Sequence, residues 1–254
     1  RGLGMALATS VFYAYGVNEG FAILICTMSL ILLLPILSKE LNYKAGHEAQ
    51  LYKNRLTFNE LVLGIRQSMF NPSAFAAIIF MLFANIGYGI FDVIYNEFYI
   101  KELGWNGEEI GHMRPYGMWL GGLIGLSAGL MTLYFRKRSL LLFFVIGQAV
   151  VFLTASTLSY ETSILLTSAV LVGVDAVDAG WSVLIFSILM ALCTTQTSAT
   201  NFGIFMGFGN ISMLIGNNIA PAILGSGDFT FAFTFAALTL IPCLISGYYL
   251  TKET

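Results

Sequence analysis

Apolar residues run along this chain in long unbroken blocks, neither alternating nor striped. Eight blocks stand out, at about 2–17, 20–38, 73–96, 114–135, 139–159, 163–192, 201–224 and 229–250. A helix needs about 20 mostly apolar residues to cross a bilayer. Most of these blocks are apolar all round, as helices embedded in lipid are. Strands of a membrane barrel would alternate over about ten residues, and no block does so. The pattern predicts an all-α, polytopic membrane helix bundle of about eight transmembrane helices.

The polar segment 39–72 divides the blocks into two and six. Within it, "FNELVLGIRQSMF" places Leu61, Val62, Ile65 and Met69 on one helical face, with Asn59 as a cap. This predicts a short amphipathic helix lying on the membrane surface. A bundle cut six-plus-six would divide the chain into three parts. Residues 1–38 would be the last two helices of an N-terminal half. Residues 39–72 would be a cytoplasmic central loop, and 73–254 a six-helix C-terminal half. The chain starts at Arg1 with a short first block, so we expect further spans of a full-length protein to precede it and to be needed for its activity. No n-region or cleavage site precedes the first block, and a signal peptide is not expected.

Composition agrees with the blocks. Of 254 residues, 57% are hydrophobic and 10% charged, against about a quarter charged in soluble domains. The net charge of −2 gives no reason to expect a nucleic-acid partner. Cys26, Cys193 and Cys243 all lie in apolar blocks, without zinc-site or disulfide spacing, and read as packing residues. No cofactor, metal or enzymatic activity is expected.

Lys and Arg set the orientation. With Arg1 inside, Lys39, Lys44, Lys53, Arg55, Arg66, Arg136, Lys137, Arg138 and Lys252 also fall inside, so ten of the 12 cations do. Only Lys101 and Arg114 fall outside, among Glu97, Glu102, Glu108, Glu109 and Glu161. The chain is therefore expected to be multi-pass, with the 39–72 loop on the cytoplasmic side.

In "GMWLGGLIGLSAG", Gly117, Gly121, Gly125 and Gly129 recur every fourth residue and share a face. Small residues at this spacing let helices approach closely in lipid. Gly203 and Gly207 repeat the spacing once.

The polar side chains inside the blocks are few. Asp175 and Asp178 are the only charged residues from Ile164 to Cys193. A charge at bilayer centre costs at least ~2.5 kcal/mol, so such residues face cavities or partners. Lying near mid-membrane one turn apart, the two could share a coupling proton, or sit neutral and hydrogen-bond to neighbouring helices. Tyr88, Asp92 and Tyr95 share a helical face. Asp92 reads either as a substrate ligand at an outer gate or as a headgroup contact, and Tyr95 as part of the interfacial aromatic belt. Arg114, at the mouth of its span, could neutralise an anionic substrate or pair with an aspartate; snorkelling to the interface is the favoured alternative. His112 beside it is a candidate pH-sensitive group. Asn201, Asn210, Asn217 and Asn218 mark one block, with Asn210 and Asn217 on one face. They read as interhelical glue or as a polar strip along a pathway. Asn217, Asn218 and Pro221 could instead loosen that helix near its end.

Three segments carry a family likeness: "EFYIKELGWNGEEIG" (97–111), "LMALCTTQTSATNFGIF" (189–205) and the opening "RGLGM". In order and register they resemble the AmpG-type muropeptide permeases of the major facilitator superfamily, a group that includes acetyl-CoA transporter relatives. The resemblance implies a major facilitator fold lacking its first spans. It also implies a proton-coupled importer of a large polar solute such as a muropeptide, working by symport across the inner membrane. Where the family often carries Lys and Asp in its seventh span, this chain has Asn85 and Tyr88. Its family counterpart of Thr-Ala-Thr-Gln is Ser198, Ala199, Thr200 and Asn201, preceded by Thr195 and Gln196. The implied partners are a small-molecule substrate, protons and membrane lipid. Acyl-CoA, siderophore, nucleotide or sugar derivatives are alternative solutes. Two other functions remain open on the residues alone: an intramembrane aspartyl protease using Asp92 and Asp175, and a membrane scaffold that transports nothing.

Overall fold

Local capping sets where the helices start. The computed structural model describes residues 70–193, 198–225 and 228–253, with Ser29 and Arg66 as single positions. The expected spans 2–17 and 20–38, the 39–72 loop with its amphipathic segment, and Thr195 and Gln196 otherwise lie outside the described residues. α1 (Pro72–Ala84) starts at Asn71, whose side chain accepts from the Ala74 N–H at 2.6 Å. Pro72 fills a first position where no N–H is required. α2 (Ile86–Lys101) follows. α3 (Gly107–Tyr134) opens with a reciprocal capping box: Asn106 Oδ1 accepts from the Glu109 N–H and Glu109 Oε2 from the Asn106 N–H, both at 2.8 Å. This box starts the helix seven residues before the apolar block at 114. α4 (Lys137–Ala155), α5 (Ile164–Leu192) and α6 (Ser198–Leu224) are long single helices. α7 (Phe229–Leu238) is capped by Asp228 and leads into α8 (Leu240–Glu253). The described residues contain no strand.

Among the described residues, five stretches are long and apolar enough to cross a membrane: Pro72–Lys101, Gly107–Tyr134, Lys137–Ala155, Ile164–Leu192 and Phe229–Lys252. The first and last are each two helices in series. The expected block 201–224 does form a helix of sufficient length, but its four asparagines leave it outside that set. The expectation that Asn217, Asn218 and Pro221 loosen its end is not met, because α6 continues through Pro221 to Leu224. Large apolar side chains such as Leu123, Leu126, Phe143 and Leu165 are exposed on the outer faces, as a bundle of membrane type requires.

The break between α1 and α2 falls at Asn85 (φ −120°, ψ 4°). Backbone groups freed inside a membrane must be satisfied by protein, and here they are. The Asn85 N–H donates to Ser212 Oγ at 3.0 Å, and the Ala84 carbonyl accepts from Trp181 Nε1 at 3.2 Å. Asn85 Nδ2 adds a bond to the Gly209 carbonyl at 3.3 Å. Aromatic side chains pack along α1 and α2: Phe80 meets Trp181 edge-on at 5.6 Å, and Phe91 and Phe98 both pack on Phe233.

The four-residue glycine stripe turns α3 onto α5. A Cβ on Gly117 would lie 3.0 Å from the Val172 carbonyl oxygen, and one on Gly121 3.0 Å from Ala179 Cβ. At Gly125 and Gly129 the nearest atoms are Val183 methyls at 3.6 and 3.8 Å, so the helices diverge toward the α3 C-terminus. The second stripe does not act the same way. Gly203 and Gly207 face open space, while α6 closely approaches Met81 of α1 at Gly209 and the α2 backbone at Gly216 instead. A Cβ on Gly89 of α2 would lie 2.6 Å from the Met213 carbonyl.

Gly117→Leu should force α5 away from α3 and destabilise the bundle by about 1–3 kcal/mol, the cost of overpacking a closed interface. Gly122→Leu, on the open face with nothing within 4 Å, should leave the thermal midpoint in detergent unchanged. Equal midpoints for the two variants would show that the α3–α5 contact is not tight.

Candidate functional site

α2, α3 and α5 each contribute a polar residue to one cluster. Tyr88, Asp92 and Tyr95 are spaced four and three residues apart, so they line one face of α2. Arg114 sits in the third turn of α3, three residues before Gly117. Asp175 lies twelve residues into α5, and its Cβ is 3.1 Å from where a Gly117 Cβ would be. Absence of a side chain at 117 thus brings the carboxylate beside the arginine.

The Tyr88 hydroxyl donates to Asp175 Oδ1 at 2.9 Å, and Arg114 Nε donates to Asp175 Oδ2 at 3.3 Å. Arg114 Nη2 donates to Asp92 Oδ1 in a second ion pair. The guanidinium carbon stands 4.1 Å from the centroid of the Tyr95 ring, an arrangement that favours a cation over the aromatic face. Among the described residues, no other Lys or Arg pairs with either carboxylate. Side-chain exposure is graded, 3% at Asp175, 9% at Arg114 and 33% at Asp92. The network therefore runs from an accessible acid to a buried one through a buried cation. With all three groups ionised, two negative charges share one positive charge.

Several expectations change here. Arg114 does not snorkel to an interface; it is buried between two acids, because a cation in an apolar bundle is stabilised by carboxylates it can reach. Asp175 does not take Asp178 as its hydrogen-bonding partner. Its partners are Tyr88 and Arg114, while Asp178 is half-buried and interacts electrostatically with Tyr88. Tyr95 lies under the guanidinium and is buried, so it does not belong to an aromatic belt. His112 is exposed and faces Glu108 at 3.6 Å, outside the cluster.

The asparagines divide. Asn85 serves the α1–α2 break, and Asn201 is buried in the first turn of α6. In the orientation its surroundings require, the Asn217 amide nitrogen donates to the Gly89 carbonyl at 2.9 Å and the Met213 carbonyl at 3.2 Å. Asn210 is exposed, while Asn217 is half-buried against α2. Asn218 is exposed too and bonds the Leu214 carbonyl of its own helix at 2.7 Å. Ser212 and Trp181 were not legible as polar partners, since each acts only through a backbone group of another helix. No family model, no curated protein and no solved structure matches the chain.

Removing one partner of a buried ion pair costs about 3–5 kcal/mol, mostly from the charge left behind. Arg114→Ala should therefore lower the thermal midpoint sharply. Adding Asp175→Asn to it should recover part of the loss, since the two are coupled. Strict additivity in that double-mutant cycle, read by thermal unfolding in detergent, would show that the pair carries no interaction energy.

Proposed function

We propose that this chain is part of a secondary active transporter, a proton-coupled importer of a large polar solute such as a muropeptide, acting across an inner membrane. The observation that carries this reading is the Asp92–Arg114–Asp175 network, which ties three membrane-type helices through one shared cation. Ionisable groups inside membrane segments mark ion and proton pathways more often than they serve packing. The collinear likeness to AmpG-type permeases supports the same assignment, including a major facilitator fold.

The network offers a coupling step in which each group has a role. Asp92 is the accessible end and would receive the proton. Neutralising it releases Arg114 from α2 and leaves a balanced Arg114–Asp175 pair between α3 and α5. The restraint among the three helices then changes from a three-way clamp to a two-way one. All three helices belong to the 73–254 half, so the change would act on the packing of that half, the one that rocks against the other in alternating access. A dyad of the aspartyl-protease kind requires two carboxylates sharing a proton. A guanidinium lying between Asp92 and Asp175 favours transport over that reading.

The competing reading is a bundle that transports nothing and uses the same ion pairs as a clamp. Uptake by the full-length protein in proteoliposomes, across a panel of cell-wall fragments, nucleotides and siderophores, separates the two. Under an imposed pH gradient, Asp175→Asn and Asp92→Asn should each abolish driven uptake while sparing exchange of solute across the membrane. Driven uptake unchanged in both variants, with the protein correctly folded, would refute proton coupling through this network.

A further inference from the structure

At the opposite end of α3 from the acidic cluster, the chain gathers four further cations. Phe135 and Arg136 form the short turn into α4, and Arg136, Lys137 and Arg138 follow one another there. The last turn of α8 reaches the same place. Arg136, Lys137, Arg138, Thr251 and Lys252 line a single cleft of about 330 Å³. The Arg138 guanidinium lies 3.5 Å from the centroid of the Tyr248 ring, which holds it over α8.

Two facts make this cleft electrostatically unbalanced. Among the described residues, none of the four cations has a carboxylate partner within 4 Å. Three of the cations also occupy the cap and first two positions of α4, the positive end of a 19-residue helix. Acids favour that end and cations do not. The α4 N-terminus has neither an acid in its first turn nor a side-chain cap, so its first N–H groups are also open to an anion. The flanks of the cleft are apolar and exposed: Leu133, Tyr134 and Phe135 on one side, Tyr248 and Tyr249 on the other.

We propose that this cleft binds a phosphate group, presented by an anionic phospholipid whose headgroup enters between α4 and α8 and whose acyl chains lie on the flanking apolar side chains. The charge of the cleft selects a phosphate carrying net negative charge over a zwitterionic headgroup. The proposal is independent of any transport activity.

The full chain, purified in detergent, is titrated with phosphatidylglycerol, with phosphatidylcholine, and with inorganic phosphate, and its thermal midpoint is followed. Phosphatidylglycerol should raise the midpoint saturably, and higher ionic strength should weaken the effect. Phosphatidylcholine should do so only at far higher concentration. A cation near the membrane surface contributes about fivefold in affinity for an anionic lipid. Lys137→Gln and Lys252→Gln should therefore each raise the half-saturating concentration about fivefold. If the Lys137→Gln protein does not fold, Lys252→Gln, in the exposed last turn of α8, decides the matter. Inorganic phosphate as effective as the lipid would overturn the lipid as source. Phosphatidylglycerol binding unchanged in the Lys252→Gln protein would overturn the site.

Discussion

One guanidinium organises the centre of this bundle. Arg114 contacts Asp92 on α2 and Asp175 on α5 from its own position on α3, and rests on the Tyr95 ring. An unpaired charge inside an apolar bundle is far more costly than a paired one, so these three helices are held in the one register that keeps the arginine served. That register in turn depends on Gly117. A Cβ there would stand 3.0 Å from the Val172 carbonyl oxygen and 3.1 Å from Asp175 Cβ, so a side chain at 117 presses α5 and Asp175 away from Nε. The glycine stripe and the ion network are thus two parts of a single constraint, one steric and one electrostatic.

A second constraint concerns backbone groups. Two of the membrane-type stretches are helices in series, and a break in such a place exposes N–H and carbonyl groups that lipid cannot satisfy. At Asn85 the partners come from α5 and α6, through Trp181 and Ser212. This explains why α6 tolerates polar residues that keep it from reading as a span. Part of its polarity is turned inward: Ser212 serves Asn85, and Asn217 reaches the Gly89 carbonyl. Its Gly209, against Met81 and Asn85, and Gly216, against Ile86 and Gly89, allow the end of α1 and the start of α2 to come near enough for those bonds to form.

The charges of α3 and its following turn are distributed toward opposite ends. Arg114, near its start, is neutralised by acids, whereas Arg136, Lys137 and Arg138, just past its end, have no described acid beside them. The acidic network is buried and ties helices together. The basic cleft is open and borders apolar side chains suited to lipid. Such a difference between the two ends of one helix gives the molecule a chemical polarity along the direction in which its helices run.

Much of the architecture was legible in the chain. Long apolar blocks required helices, because nothing else of that composition satisfies its backbone in lipid. The spacing of Tyr88, Asp92 and Tyr95 placed them on one face, and the glycines at 117 to 129 on another, since the helical period alone decides this. Sequence also marked Asp175 as a charge inside an apolar block and Arg114 as one of two outward cations, able to pair with an aspartate. It could not say that they meet, because Asp175 has several chemically suitable partners and the chain order puts Asp178 nearest. Only the packing of α3 on α5 brings the distant cation within reach and leaves the neighbouring acid one turn away. The same limit applies to Ser212 and Trp181, whose roles rest on backbone groups of other helices that carry no residue signature. Periodicity determined which side chains share a face; the helix crossings, set by where glycine permits close approach, decided which faces meet.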